Sequence, residues 1–506
     1  MKSLLTALSA IPAAMLVQAS PAMAQPTDPD TRAWWAVTEQ LSSDAMEGRD
    51  TGSAGYDRAA QVVADKFKAA GLKPAGVNGG WFQPVALREF AIAKATLKVG
   101  SRPLKFLYDV GVAASEAMPT NVDAPLAYRG YCGADVLGDV KGKLVVCHGA
   151  RRAGLPSGAD REAAVKAAGG IGILSIADPG FTVEPPRWPD AYAREVKPIA
   201  AKVDTDPFLR LRLNAEALAK VTGPARTDAA DLIAKGSQGA PLPSFDIPGR
   251  FQATFTVARR QISSSNVLGL LPGSDPTKAG EAIVLSAHLD GYGQGTPVDG
   301  DGIYNGTLDD AAYVALLIRL AEQRQGQGYR RPIVFAAFMG EEKGLLGAYA
   351  FVANPTVPLA RIAANINLDQ LRPIFPLDLL TVHALDDTTL GDDVRTVTAG
   401  MGVAVQHDPE PERGLIRRAD QWPFLQAGVP ATAFVFGYRP GSESERIYRQ
   451  WYRTGYHKPQ DDIGQLMDWK AAADFNRFFY ALVARVADAD AAPAWKPGST
   501  LKPKAP

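Results

Sequence analysis

Ile283-Val-Leu-Ser-Ala-His288-Leu-Asp290 is the stretch on which the fold turns. An uncharged run, residues 282–287, reads as an apolar strand and then breaks into a histidine and an aspartate. The pattern recurs. Residues 332–338 predict a second strand, followed by Met339-Gly-Glu341-Glu342, and residues 361–368 a third, followed by Asp369. Between the first two, residues 310–323 predict a helix with Val314, Leu317 and Leu320 at helical spacing. Residues 432–436 predict a further strand and residues 469–487 a long helix. Strands alternating with helices in this way give an α/β sheet with helices on both faces. Open sheets of this class carry their sites at the carboxyl ends of the strands, where these motifs fall.

The motifs share a chemistry. Ser286-Ala-His288-Leu-Asp290, Gly306-Thr-Leu-Asp309-Asp310, Met339-Gly-Glu341-Glu342, Asn365-Ile-Asn-Leu-Asp369 and Tyr456-His457-Lys-Pro-Gln-Asp461 supply nitrogen and oxygen ligands that suit zinc. Taken singly, each has a plainer explanation. Asp309 alone would be the N-cap of the helix after it, and one His-x-Asp a surface loop. Five in order are hard to explain as caps and solvated faces. Two zinc ions side by side need a bridging carboxylate and further ligands on each. Of the neighbours Glu341 and Glu342, one can ligate while the other takes a proton from water. Asp290 can orient the His288 imidazole.

The rest of the chain is read from this centre outward. The first residues form a secretory signal: Lys2, an apolar run at residues 4–17, and Ala22-Met23-Ala24 as a cleavage site, which would start the mature chain at Gln25. A membrane anchor is the other reading, but the run is short for a span. The expectation is an exported protein, periplasmic or secreted, without stable membrane association. Residues 54–70 predict a helix ended by Gly71-Leu-Lys-Pro74. Residues 119–247 differ in texture, with short strands at 142–147 and 169–174, a helix at 160–168, and much proline and glycine. They read as a module inserted between an N-terminal segment, residues 25–118, and the part that carries the motifs, residues 248–490. The tail, 491–506, is expected to be disordered. Among 506 residues, Lys plus Arg and Asp plus Glu number 54 each, so nothing in the charge balance points to nucleic acid or an anionic membrane. Cys132 and Cys147 are compatible with one disulfide or with two buried thiols, and exclude a cysteine-based zinc site by count.

On these residues the chain resembles the M28 family of zinc metallopeptidases with an inserted protease-associated (PA) domain. Leu41-Ser-Ser-Asp-Ala-Met-Glu-Gly48-Arg49-Asp-Thr-Gly52-Ser53, Gly71-Leu-Lys-Pro74 and Trp81-Phe-Gln-Pro-Val85 are similar to the family's N-terminal part. Lys166-Ala-Ala-Gly169-Gly-Ile-Gly-Ile-Leu174 resembles a segment of PA domains. The resemblance implies a mixed sheet sandwiched by helices, the zinc-exopeptidase fold, with a β-rich insertion. It implies two Zn2+ ions: Asp309 as the bridge, His288 and Asp369 on one metal, Glu342 and His457 on the other. It further implies Glu341 as general base, Tyr456 as a group polarising the scissile carbonyl, and a cis peptide at Asp309-Asp310. The implied activity is an aminopeptidase acting on peptide substrates. Tyr313, Gln370-Leu-Arg-Pro373 and Lys458 depart from the family pattern, and none removes a ligand.

Other readings stay in view. A glutaminyl cyclase-like acyltransferase would need one zinc, and a carboxypeptidase or dipeptidase is a third possibility. A non-catalytic binding protein predicts eroded ligands, which this chain does not have. His148, His383 and His407 lie outside the motifs and read as structural. Asp299-Gly-Asp301-Gly lacks the rest of a calcium loop and reads as a flexible loop. Gly291-Tyr-Gly-Gln-Gly295 is not followed by a helix pattern, against a nucleotide site. There is no G-x-S-x-G elbow of a serine hydrolase.

Overall fold

A computed structural model describes residues 26–503, except 151, 153, 179–187, 226 and 370. The signal segment 1–24 and the Gln370 departure lie outside the described residues. The strands Ala431–Thr432, Ile362–Asn367, Ala282–His288 and Ile333–Phe338 lie side by side and parallel, and Ser244–Leu271 continues the sheet antiparallel. The sheet is therefore mixed.

Alternation along each parallel strand explains the layers. Ile283, Leu285 and Ala287, with Ile333, Phe335 and Ala337, enter one buried core. Val284, Val334, Ala336 and Phe338 enter another on the opposite face. Both faces are buried, so these parallel strands carry no Asp, Glu, Lys or Arg. Helices Pro29–Leu41, Ala54–Ala69, Ala312–Arg324 and Trp469–Asp488 cover the first face. Leu346–Ala353 and Gln421–Gln426 cover the second through Ala348, Phe351, Phe424 and Leu425. Side-chain caps start several of these helices: Ser53 accepts from the Tyr56 amide and Asp468 from the Ala471 amide. The indole of buried Trp34 donates to the Ala312 carbonyl at 2.6 Å, which ties the first helix to the one after Asp309.

A 28-residue strand, Ser244–Leu271, joins two regions. Its far end belongs to the sheet just described. Its near end pairs with Asn121–Arg129, from which Leu144–His148, Gly172–Ile176 and Leu209–Leu213 continue in parallel. The core of this second region draws on Phe90, Ile92, Leu97, Phe251 and Phe255. It therefore reaches beyond the expected 119–247 boundaries. Composition changes at those positions, but the long hairpin of Phe82–Val99 against Ser244–Leu271 runs unbroken through both regions. Cys132 and Cys147 form a disulfide inside the second region.

Three local expectations change. The helix expected over 310–323 is Ala312–Arg324, because the residues at Asp309 and Asp310 leave helical geometry. The strand expected over 432–436 divides into Ala431–Thr432 in the main sheet and Phe434–Phe436 in a small separate sheet. The tail expected to be disordered is ordered through residue 503. Trp495 donates its indole N–H to the Gly428 carbonyl at 2.7 Å, and Trp495 and Leu501 pack on the second face of the sheet. Two apolar anchors outweigh the polar composition around them. Among the described residues no helix is long and apolar enough to cross a membrane.

Candidate metal centre

Register brings the motifs together. His288 pairs with Phe338, three residues before Glu341, and Ser286 pairs with Asn367, two residues before Asp369. Three adjacent parallel strands thus end at one level, and their next side chains share one edge of the sheet. Asp309 arrives from a turn that two groups shape. The Asp461 carboxylate accepts from the amides of Leu308 and Asp309 at 2.9 and 3.0 Å. Gly306 has φ +57, and a Cβ there would lie 2.4 Å from the Asp309 carbonyl, so only glycine fits. The Asp309-Asp310 peptide is cis.

The two oxygens of Asp309 face different imidazoles. Oδ1 is 3.3 Å from His288 Nε2, and Oδ2 is 3.5 Å from His457 Nε2. Asp369 Oδ1 stands 4.0 Å from His288 Nε2, and Glu342 Oε1 3.7 Å from His457 Nε2. All five residues that the resemblance names as ligands therefore converge, in two sets that share Asp309. His288, Asp309 and Glu342 can hold one ion, and so can His288, Asp310 and Asp369. Asp310 is the poorer donor of the Asp pair, because its Oδ2 already accepts from the His288 amide at 3.1 Å.

The donor set fits cations. His288 Nε2, Asp309 Oδ2 and Glu342 Oε1 are buried without a hydrogen-bond partner. Burial, reinforced by neighbouring carboxylates, pushes Asp310, Glu341, Glu342 and Asp420 well above the usual carboxylate range. Such a crowd of acids calls for positive charge among them. Burial also opposes ionisation of Asp309, but Arg372 and the two imidazoles outweigh it and hold this carboxyl well below its ordinary value. Burial disfavours the charged form of His288, yet the surrounding carboxylates raise it well above an ordinary imidazole.

Asp290 is placed differently from the expectation. Its carboxylate lies 3.7 Å from His288 Nδ1, while its backbone carbonyl lies 3.0 Å away and takes the contact. The carboxylate instead accepts from the amides of Glu341 and Glu342 at 3.0 and 3.3 Å, and from the Thr51 hydroxyl at 3.0 Å. It holds the loop that carries both glutamates. Tyr456 stacks on His457 with ring centroids 3.5 Å apart and lines the cleft over the centre. Tyr313 packs against Phe475 of the helix Trp469–Asp488 and does not line the cleft. His148 and His383 are buried away from the centre, and His407 pairs with Asp386. Asp299 and Gly300 form the turn of a short hairpin, both with positive φ, rather than a loose loop.

Several residues here escaped the sequence reading. Arg372 is buried, 3.3 Å from Asp309 Oδ2, with its guanidinium over the Trp451 ring. Lys343 lies beside Glu342 with its side chain shielded from solvent, and this burial lowers its amine to about 7. Asp420 is buried with both carboxylate oxygens unpartnered. Its position before a helix disguises it as a cap. Arg49 sits inside a quoted motif, but its task is tertiary: its guanidinium donates to the carbonyls of Leu41, Leu289, Asn305 and Gly306. It thereby joins the loop after His288 to the turn before Asp309.

The model of peptidase family M28 matches residues 266–483, the segment that carries all five converging residues. A probable zinc metalloprotease from Pyrenophora teres f. teres is 28% identical over 244 residues, covering 46% of this chain and 50% of that protein. A second, from Pyrenophora tritici-repentis, is 27% identical over 240 residues, covering 41% and 52%. The chain spans about half the length of the curated relatives it matches. Among solved structures, a zinc aminopeptidase from Bacillus subtilis superposes with TM-score 0.62 at 18% identity, covering 91% of this chain and 96% of that one. An aminopeptidase from Aneurinibacillus sp. strain AM-1 gives 0.59 at 18% identity, covering 94% and 96%. The M28 segment and the regions before it thus share one fold with these enzymes.

Proposed function

We propose that this protein is a zinc-dependent exopeptidase that removes N-terminal residues from peptides. The observation that carries the reading is Asp309, whose two oxygens address two imidazoles, each backed by one further carboxylate. His288 and Asp369 would hold one zinc, Glu342 and His457 the other, with Asp309 between them. When bound, zinc supplies an acidified water and a Lewis acid for the scissile carbonyl. Glu341, kept out of the ligand set, takes the proton of the attacking water and returns it to the leaving amine. The Tyr456 phenol, at the cleft wall, donates toward the developing oxyanion. Asp290 and Thr51 keep Glu341 in place through the loop amides.

The cleft has a volume of about 340 Å³ and is lined by Arg212 of the inserted region together with Arg417 and Arg418. A space of this size takes a short peptide rather than a folded protein. The three guanidiniums favour one second reading, a dipeptidase or carboxypeptidase that grips a free carboxylate. The disulfide supports export, since such bonds persist in oxidising compartments. The deciding experiment uses exported protein, whose N-terminus should read Gln25. Zinc is counted by mass spectrometry, and cleavage is followed on aminoacyl-arylamides, free dipeptides and N-acetylated peptides before and after chelation. Two zinc ions and chelator-sensitive release from arylamides are expected. Cleavage confined to N-acetylated peptides selects the carboxypeptidase, and one zinc without hydrolysis selects the cyclase.

A further inference from the structure

A neutral imidazole that binds metal through Nε2 must carry its proton on Nδ1, and that proton needs an acceptor. For His288 the acceptor is the carbonyl of Asp290, two residues along the same loop. For His457 it comes from elsewhere. The Tyr192 phenolic oxygen lies 2.6 Å from His457 Nδ1, and Tyr192 belongs to the inserted region. It sits on the helical turn Asp190–Ala193, which leads into the strand Arg194–Pro198.

The same turn touches the centre a second time. Lys343, directly after Glu341 and Glu342, donates its amine to the Ala191 carbonyl at 2.8 Å. The turn is also seated on the M28 segment. Pro189 bridges to Gly295, where a Cβ would lie 2.5 Å from the Pro189 Cα, so glycine is needed for this approach. The Tyr292 ring fills the space between, 5.0 Å from Tyr192 and 4.2 Å from His457. One four-residue turn therefore reaches a candidate ligand through Tyr192 and the glutamate loop through Ala191.

We propose that the turn Asp190–Ala193 is a structural part of the metal centre and that Tyr192 is a positioning residue for His457. The Tyr192 oxygen accepts the Nδ1 proton and turns Nε2 toward Asp309 and Glu342. The inserted region then does more than overhang the cleft: it completes the His457 side of the centre and leaves the His288 side independent. This inference rests on the two-zinc reading above.

The test is Tyr192→Phe in the full chain, which keeps the ring and removes the oxygen. Zinc is titrated out of wild type and variant with a chromogenic chelator, and the thermal midpoint of the metal-free proteins is measured alongside. Loss of a hydrogen-bonded partner behind a ligating histidine weakens metal binding roughly 10–100-fold. The expected result is that weakening for one zinc only, with the second zinc and the metal-free midpoint unchanged. Two zinc ions held with wild-type affinity in Tyr192→Phe would overturn the proposal while leaving the two-zinc reading intact. A wild-type chain that holds no zinc would overturn both. A crystal structure of the zinc-loaded wild type gives a variant-free check: a Tyr192 oxygen beyond hydrogen-bond reach of His457 Nδ1 would sink the assignment.

Discussion

His288 and His457 face the same carboxylate from opposite sides, yet the protein holds them by unlike means. His288 ends a strand paired on both edges, its amide bonded to Asp310 and its ring to its own loop. Hydrogen bonds of the sheet and neighbouring loops set it almost unaided. His457 sits on a loop after the helix Glu443–Thr454, with φ 53, a conformation uncommon for any residue but glycine. The ring is placed by side chains: Tyr456 stacked on it, Tyr292 against it, Tyr192 bonded to it. One side of the centre is built into regular structure. The other takes one of its partners, Tyr192, from the second region.

Three changes probe that contrast, beginning with the largest effect. Glu341→Gln removes the proposed base, which would serve both sides, and touches neither histidine. It should lower kcat by about 1,000-fold, with zinc content unchanged by mass spectrometry. Loss of zinc in this variant would make Glu341 a ligand and merge the roles separated here. Arg49→Lys acts on the His288 side, where it strips donors from buried carbonyls of Leu289, Asn305 and Gly306. Lysine keeps the charge but cannot span them. The cost should be on the order of 3 kcal/mol, read from the denaturation midpoint of the metal-free chain. A midpoint equal to wild type would mean that the sheet alone sets this side.

Reduction of Cys132–Cys147 is the mildest and the most selective. The bond spans 15 residues of the inserted region, and opening a loop of that length costs up to about 3 kcal/mol. The loss falls on that region's own core, so the calorimetric transition should broaden or split toward lower temperature. If Tyr192 links the regions as proposed, anomalous scattering from reduced crystals should show lower occupancy at the His457 position before the His288 position. The opposite order would break the comparison.

Much of this arrangement was readable before any coordinates. The apolar strands that lead to His288, Glu341–Glu342 and Asp369 announce an α/β sheet and the edge on which these side chains gather. The distortion at Asp309-Asp310 was legible only through the family resemblance, because by residue type the pair looks like an ordinary helix start until Asp461 and Gly306 are seen to shape the turn. Composition misjudged the tail, where Trp495 and Leu501 find an apolar face that a window of neighbours cannot reveal. It also hid Arg49, Lys343 and Arg372, since a charged side chain in sequence reads as solvated, and its burial depends on carbonyls and carboxylates supplied by distant segments.

By itself the sequence determined the chemistry on offer: which residues carry nitrogen and oxygen donors, and that continuous apolar runs deliver them to the ends of strands. Periodicity and residue type are local properties, so one chain suffices to read them. Only the tertiary structure decided which atom faces which. Asp309 divides its oxygens between two imidazoles, Asp290 serves the glutamate loop rather than the histidine, and Tyr192 reaches His457 across 265 residues of chain. Hydrogen bonds act over about 3 Å whatever the separation along the chain, and that distance is set by how the regions pack.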